Sequence, residues 1–499
     1  MTDSTKAQAL HSLGLQDTPL VTGLWQVADL ERAGQDLDRE AAAADLIDYA
    51  KAGFRHFDMA DHYGSAELIA GTARQHLIDA AGTDESPVQL FTKWCPQPHK
   101  CTREAVRRGI EERCERLGME TIDLLQLHWW HFDHPGYIDV MDHLMELRQE
   151  GRIRHLGLTN FDTDHLSVLL SCGHEIVSNQ VCLSVLDPRA LGDMSQLCMD
   201  SGVRLLAYGT LAGGFLGDRW LGADEPAVVP DWSKMKYQRF IHAVGGWQAY
   251  QQMLQVLSGI ATTHNVSLSN VATRWVMQQP AVTGVIVGAR LTDSQHREDN
   301  RKLQSLTLSD DELAQITSAS QQLTPIAGDC GTEYRRPPFL TASGDLSDHL
   351  DTLPPVFAKE AVAGRTDRWR ISSGSEYEPI CGYSRAVRDG NRVLVSGTTA
   401  THQNDRVIGA DDLRAQTTYI MDKISASLSS LGACLDDVIR TRIYLTDAND
   451  WETVSRVHGR YLGDCLPANT LIEVSRLIGD YRVEIEAEAV IPVTTQNAR

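Results

Sequence analysis

From about residue 50 to residue 290, short runs rich in β-branched and aromatic residues alternate with longer amphipathic stretches, and nothing else in the sequence constrains the fold as strongly. The runs are FRHFDMA (54–60), VQLFTKW (88–94), IDLLQLHW (122–129), IRHLGLTN (153–160), IVSNQVCLS (176–184), RLLAYGT (204–210) and VTGVIVGA (282–289). Between them, REAVRRGIEERCERLG (103–118) and VMDHLMELRQEG (140–151) carry apolar residues at helical spacing. Strands that alternate with helices pair in parallel through right-handed crossovers. Seven such units, with a first strand around PLVTGLWQV, make eight over about 300 residues, which predicts an α/β fold of the TIM (β/α)8 type rather than an open doubly wound sheet.

The alternation is uneven in one place. About seventy residues separate RLLAYGT from VTGVIVGA, and an insertion there overhangs the C-terminal mouth of a barrel, where substrate loops belong. SLTLSDDELAQITSASQQL (305–323) predicts a closing helix capped by Ser309 with acids in its first turn. Residues 329–367 then mix Pro, Gly and charge without a period, as a linker does. Order resumes with GYSRAVRDGNRVLVSGTT, a hairpin around RDGN, followed by a helix (412–431), the strand DVIRTRIYLTD, a helix near 450–463 and the strands TLIEVSRL and YRVEIEAEAVI. The expected organisation is a barrel over 1–328, a linker over 329–367 and a smaller α+β domain over 368–499.

Composition excludes several functions. A chain of 499 residues is too long for one ordinary domain. Its formal net charge of −21 argues against nucleic acid and against an anionic membrane surface, since both select clustered Lys and Arg. The start, MTDSTKAQALHSLGLQDTPL, has no basic segment followed by an apolar core, and no apolar run reaches the length of a bilayer. Ten cysteines, scattered without a CxxC pair, suit reduced thiols in a cytoplasm and offer no disulfide framework or zinc site.

Polar residues at the strand ends point to chemistry. Asp58 ends the second strand with Tyr63 in its loop, Lys93 ends the third, and His128 ends the fourth. Strand ends of a barrel converge on one mouth, so these four are expected to be neighbours. A phenol has a free pKa of about 10; an adjacent ammonium favours its phenolate, and a carboxylate holds the ammonium in place. With a histidine to hydrogen-bond a carbonyl oxygen, such a set can polarise a carbonyl and protonate it. Asp61 is expected to shape the loop or to be solvated, Gly64 to permit the turn, and Ser65 to cap the next helix. In HWWHFDH, His128, His131 and His134 recur every third residue, but no carboxylate pattern supports a metal, and none is expected.

Those segments carry a resemblance. FRHFDMADHYG, LFTKW, IDLLQLHW, IRHLGLTNF, SNQ and AYGTLAGGFL are similar, in order and interval, to the aldo-keto reductase superfamily over roughly residues 18–325. The resemblance implies a TIM barrel that uses NADPH, or alternatively NADH, to interconvert aldehydes or ketones and alcohols. It implies Tyr63 as general acid, Lys93 as its activator, Asp58 as the partner of Lys93, and His128 as the residue that orients the carbonyl. Thr159, Asn160 and Gln180 match positions that grip the nicotinamide carboxamide, and Tyr208 matches the aromatic that stacks on the ring, with Gly209, Thr210 and Leu211 continuing that loop. GARLTDSQHREDN (288–300) resembles the phosphate and adenine segment through Gly288, Arg290, Ser294, His296 and Asn300; His296 stands where an arginine for the 2′-phosphate is common, and Asp299 replaces a common glutamate. Trp25 and Trp129 match pocket-lining positions.

Residues from about 370 to 493 resemble the RidA-like (reactive intermediate deaminase) family through YSRAVRDGNRVLVSG, DVIRTRIYLTDANDW and IEVSRLIGDYRVEIEAEAV. That family forms trimers with clefts between subunits, and its deaminating members hydrolyse enamines or imines. Tyr383 and Glu486 match cleft positions, whereas Asn469 stands where those members carry the arginine that grips a substrate carboxylate. Without a guanidinium there is no bidentate clamp. The resemblances together imply a cytoplasmic NAD(P)H-dependent carbonyl reductase whose second domain serves homotrimer formation or small-ligand binding. The alternatives are a bifunctional enzyme that also handles imine or enamine intermediates, and a non-catalytic nucleotide-binding sensor or scaffold.

Overall fold

The computed structural model describes residues 13–27, 37–99, 101–229, 232–291, 296–335 and 354–492. The chain forms two compact units, one drawn from 1–130, 140–163 and 175–350, the other from 131–139, 164–174 and 351–499.

In the first unit, eight parallel strands close into a barrel in sequence order: β1 (Leu20–Gly23), β2 (His56–Asp58), β3 (Gln89–Trp94), β4 (Ile122–His128), β5 (Ile153–Thr159), β6 (Ile176–Cys182), β7 (Arg204–Tyr208) and β8 (Val282–Gly288). Pairing of β1 with β8 completes the ring. The expected barrel is therefore present. Seven of the expected runs reach at most two residues past the strands they contain, and the run around β1 extends four residues past Gly23.

Every residue of β4 and β6 is buried, as it must be for strands covered on both faces. Inside the ring, Val21, Phe91, Leu124, Val177, Leu206 and Ile286 form one cluster with Leu13 and Leu15, which precede β1 and plug the end opposite the mouth. Each such side chain contributes about 1.5–3 kcal/mol by leaving water.

Local signals set the element ends. The helix Arg103–Leu117 starts where Thr102 accepts from the Ala105 amide and stops at Gly118 in the left-handed region. The closing helix Asp310–Gln321 carries a full capping box between Ser309 and Glu312. Ser65, by contrast, makes no side-chain capping bond to the helix Ala66–Ala81, so the cap expected there is absent. The insertion after β7 folds on an aromatic cluster of its own, with Phe215 against Trp220 at 4.9 Å and Trp247 against Tyr250 at 4.7 Å. It leads through the helices Trp232–Ala243 and Gly246–His264 to Leu268–Met277.

The second unit is built on a seven-stranded sheet, in the order β14-β13-β15-β12-β11-β10-β9. The strands are β9 (Lys359–Ala361), β10 (Arg368–Ile371), β11 (Ala386–Asp389), β12 (Arg392–Thr398), β13 (Val438–Leu445), β14 (Ala468–Glu473) and β15 (Val483–Val490). β11 and β12 form the hairpin expected around RDGN. β13 and β14 are parallel, joined by the helix Trp451–Leu462, and the other pairs are antiparallel. β15 alternates strictly: Val483, Ile485, Ala487 and Ala489 face inward under the helix Leu413–Ser430, while Glu484, Glu486 and Glu488 lie on the other face. β9 reads KEA and is fully exposed. It lies within the stretch expected as a linker, and it pairs with β10 through backbone bonds that leave no mark on side-chain pattern.

Candidate active site

A cavity of about 580 Å³ opens at the C-terminal mouth of the barrel, within the range typical of small-molecule sites. Asp58, Tyr63, Lys93 and His128 all line it. Lys93 Nζ donates to Asp58 Oδ2 and, at 2.9 Å, to the Met59 carbonyl. Asp58 Oδ1 accepts from Gln126 Nε2 at 2.9 Å and Gln180 Nε2 at 2.8 Å. Burial pushes the Lys93 ammonium below its ordinary pKa, and the Asp58 carboxylate opposes that shift. Lys93 Nζ lies 5.2 Å from the Tyr63 ring centroid, and Trp25 and His62 each meet Tyr63 edge-on at 4.9 Å.

The loop that presents Tyr63 is fastened from below. Asp61 is only partly exposed; it accepts from the Cys95 amide at 2.9 Å and pairs with His62 Nδ1 at 2.8 Å, so of the two expectations it shapes the loop rather than facing solvent. Glu67, fully buried, accepts from Thr92 at 2.7 Å, Arg113 at 3.0 Å and Arg116 at 2.7 Å. Gly64, at φ 56°, makes the turn into the helix.

The positions matched to a cofactor converge on the same cavity. Thr159, Asn160, Gln180, Tyr208, Gly209, Thr210, Leu211, Gly288, Arg290, His296 and Asn300 all line it, as does Trp25. Ser294 lies outside the described residues. Trp129 is fully buried and is not among the lining residues. Two lining hydroxyls, Thr159 Oγ1 and Thr210 Oγ1, are buried without a hydrogen-bond partner, and a group with amide or phosphate oxygens fits that vacancy in their bonding. Gly209 sits at φ 70°, and a Cβ there would lie 2.2 Å from Tyr237 Oη, so the loop depends on its lack of a side chain. At the outer end, Arg290 Nε donates to Gln26 at 2.8 Å. Asp299 accepts from Ser267 at 2.7 Å and Asn270 at 3.1 Å, which anchors the segment that carries His296 and Asn300. The residues present fit a nicotinamide dinucleotide.

Sequence reasoning missed part of this wall. After the closing helix the chain turns back at Gly331 and places Tyr334 in the cavity, where its hydroxyl bonds Lys236 Nζ at 2.7 Å and Tyr208 Oη at 3.0 Å. Tyr334 packs edge-on to Trp130 at 5.1 Å and to His128 at 6.2 Å. Glu333, fully buried, pairs with Arg189 at 2.9 Å and lies 3.8 Å from Lys236. Burial pushes Glu333 up, but the two cations outweigh it and hold its carboxyl below the usual range. Cys182, Asp187 and Glu333 bring metal-ligand atoms close together, yet Arg189 bridges both carboxylates, at 2.7 and 2.9 Å, and supplies their counter-charge. Five residues without a period, TEYRR, gave no signal for this return.

Comparison with known proteins agrees with the geometry. The model of the aldo/keto reductase family matches residues 19–321, more than half of the chain. The chain belongs to the aldo/keto reductase family. It is thereby an oxidoreductase of a group that uses nicotinamide cofactors. An aldo-keto reductase of Mycobacterium sp. strain KMS is 28% identical over 298 residues, which cover 59% of this chain and 87% of that protein. The NADH-specific methylglyoxal reductase of Escherichia coli K12 is 24% identical over 322 residues, covering 60% and 94%. Residues 373–491 match the family described as endoribonuclease L-PSP. A RutC family protein of Pyrococcus abyssi is 37% identical over 112 residues, covering 22% of this chain and 88% of its own length. The chain is thus an aldo/keto reductase barrel followed by a RidA-like domain. Among the described residues, no helix is long and apolar enough to cross a membrane.

In the RidA-like domain, Glu486 on β15 is held by Arg442 at 2.9 Å and Tyr444 at 2.6 Å. Asn469 on β14 donates to Thr441 Oγ1 at 2.9 Å, which in turn meets His458 at 2.9 Å. Tyr383 is 39% exposed. Position 469 thus carries a short amide tied to its neighbouring strand.

Proposed function

We propose that the barrel is an NAD(P)H-dependent carbonyl reductase, with Tyr63 as general acid, and that it runs as an alcohol dehydrogenase in reverse. One observation carries the proposal: Asp58 and Tyr63, Lys93 and His128, from three separate strand–loop segments, border one cavity in a buried ion-pair and aromatic arrangement. The nicotinamide cofactor, when bound, supplies the hydride. Thr159, Asn160 and Gln180 would hold its carboxamide end, Tyr208 would offer it a ring face, and Arg290, His296 and Asn300 would face its adenosine end. The chain's own work is proton transfer. Lys93, kept charged by Asp58, lowers the cost of negative charge on the Tyr63 oxygen, so Tyr63 can release its proton to a carbonyl oxygen that accepts from His128. The wall of Trp25 and Tyr208 keeps water from the reacting carbon.

NADPH is the favoured cofactor, because Arg290 places a guanidinium at the adenosine end, the group best suited to a 2′-phosphate. NADH is the alternative, since His296 replaces a second cation and the Escherichia coli relative is named as NADH-specific. Titration of tryptophan fluorescence with NADPH and with NADH tests this directly: micromolar binding of NADPH that Arg290→Ala weakens, with NADH binding unchanged, is expected. No binding of either nucleotide refutes the reading. Tyr63→Phe is then expected to abolish aldehyde reduction with nucleotide affinity nearly intact, and retained turnover refutes the role of Tyr63.

The RidA-like domain serves oligomerisation or binds a small neutral ligand rather than deaminating amino-acid-derived imines, because Asn469 offers no carboxylate clamp. Light scattering is expected to give a homotrimer, and a monomer refutes it. The ten cysteines, scattered without a pairing pattern, support a cytoplasmic location.

A further inference from the structure

Asn160 is the first residue past β5 and stands in the left-handed region at φ 56°, which asparagine tolerates better than most residues that carry a side chain. Its amide donates to the Gln180 carbonyl at 2.9 Å, and its Oδ1 accepts from Tyr208 at 2.9 Å. Its own carbonyl is held from the far end of the barrel unit. Arg335 Nη2 donates to it at 2.7 Å, and the same nitrogen donates to the Trp129 carbonyl at 2.9 Å. Trp129 follows His128 at the end of β4, as Asn160 follows Thr159 at the end of β5. One guanidinium nitrogen therefore ties two neighbouring strand ends together. The side chains of His128 and Asn160 meet there, with Asn160 Nδ2 3.3 Å from His128 Nε2.

The tail that delivers this guanidinium is fastened to the same loop. Asp329 Oδ2 accepts from the Thr163 amide at 2.9 Å, and the Asp329 carbonyl accepts from Arg189 at 3.0 Å. Gly331, at φ 76°, lets the backbone come so close that a Cβ there would lie 2.4 Å from the Asn160 carbonyl oxygen. Burial opposes the charge of Arg335, and Asp162 offsets that cost. Asn160 and His128 line the cavity, whereas Arg335 is not among the lining residues. We propose that Arg335 is a positioning residue for the cofactor: it holds the Asn160 peptide in the left-handed conformation and so keeps the Asn160 side chain beside His128, ready for the nicotinamide carboxamide. This rests on the nicotinamide reading of the cavity. Without the bridge, the Trp129 and Asn160 carbonyls lose a shared donor at the strand ends, and Asn160 relaxes out of the left-handed region with its side chain turned from the carboxamide.

The experiment titrates the full chain by isothermal calorimetry with NADPH and with 2′,5′-ADP, which has the adenosine end but no nicotinamide. Wild type is compared with Arg335→Met and Arg335→Lys. The expected result for Arg335→Met is a rise of roughly tenfold in the Kd of NADPH, the upper end for losing the hydrogen bonds of one neutral amide. The Kd of 2′,5′-ADP is expected to stay unchanged, which a general loosening of the fold would not allow. Unaltered NADPH affinity overturns the proposal, and so does a parallel loss of both ligands. If Arg335→Met shows no cooperative urea transition, Arg335→Lys carries the test by the same criteria, because it keeps the charge near Asp162 but lacks the planar fork. NADH and ADP replace the two ligands if the wild type binds NADH alone. If the wild type binds neither nucleotide, the nicotinamide reading falls and takes this proposal with it, whereas wild-type binding that Arg335→Met leaves unchanged overturns the role of Arg335 alone.

Discussion

Replacing Asp58 with Asn removes one charge and almost no volume from the centre of the site, and its consequence can be worked out before the experiment. Asp58 is 3% exposed and takes three donors, Lys93, Gln126 and Gln180. In the variant, Lys93, 2% exposed, keeps its bond to the Met59 carbonyl but loses the opposing charge at position 58. Breaking a buried pair by removing one partner typically costs about 3–5 kcal/mol. The chain has one escape, which is to fold with Lys93 neutral. Against an ordinary lysine pKa of about 10.4, deprotonation at pH 7 costs about 4.6 kcal/mol, and at pH 9 about 1.9 kcal/mol. The neutral route therefore caps the penalty, and the cap falls by about 1.4 kcal/mol for each pH unit. The expected loss is about 3–4.6 kcal/mol at pH 7 and about 2 kcal/mol or less at pH 9. Urea unfolding of the barrel, followed by tryptophan emission for wild type and Asp58→Asn at both pH values, reads it out. A penalty equal at pH 7 and pH 9 refutes the reasoning, because it means that the charge of Lys93 is not what Asp58 stabilises.

Two more outcomes follow from the same structure. Burial beside Arg148 and Arg154 pushes His155 down to about 4 from its ordinary 6.5; a depressed folded pKa stabilises fully above pH 6.5 and is lost as pH falls through about 4. His155→Leu should therefore flatten the stability profile between those limits, and an unchanged acid slope in urea titrations refutes the assignment. Gly209→Ala should lower stability by roughly 2–4 kcal/mol, from positive-φ strain and the clash with the buried Tyr237 hydroxyl, and a midpoint within error of wild type refutes it.

Much of the barrel was legible because its strands announce themselves twice, by apolar runs that burial on both faces demands and by the regular interval between units. The strand-end positions of Asp58, Lys93 and His128 were legible for the same reason: once the strands are located, topology brings their ends together. The capping box at Ser309 is likewise a local signal. Where the sequence misled, the contest was local too. Ser65 has the right chemistry for a cap, but its backbone, at φ −89° and ψ 4°, lies outside the extended region a capping residue adopts. β9 has no side-chain pattern to read, since KEA is exposed throughout and pairs with β10 through its backbone.

The sequence by itself determined the eightfold alternation, the residue types and spacing of Asp58, Tyr63, Lys93 and His128 near the mouth, and the change of pattern from βα repeats to the strands of the RidA-like domain. The tertiary structure alone decided which distant residues complete the cavity. Tyr334 lies 206 positions after His128 in the chain, and no periodicity links it to Lys236 or Tyr208. Their meeting depends on a turn at Gly331 whose Cβ position falls 2.4 Å from the Asn160 carbonyl, so only the close approach of two backbones sets it. Local pattern reports on neighbours within a turn or a strand, whereas a wall assembled from a loop, a helix and a returning tail is set by packing, and packing is a property of the folded chain.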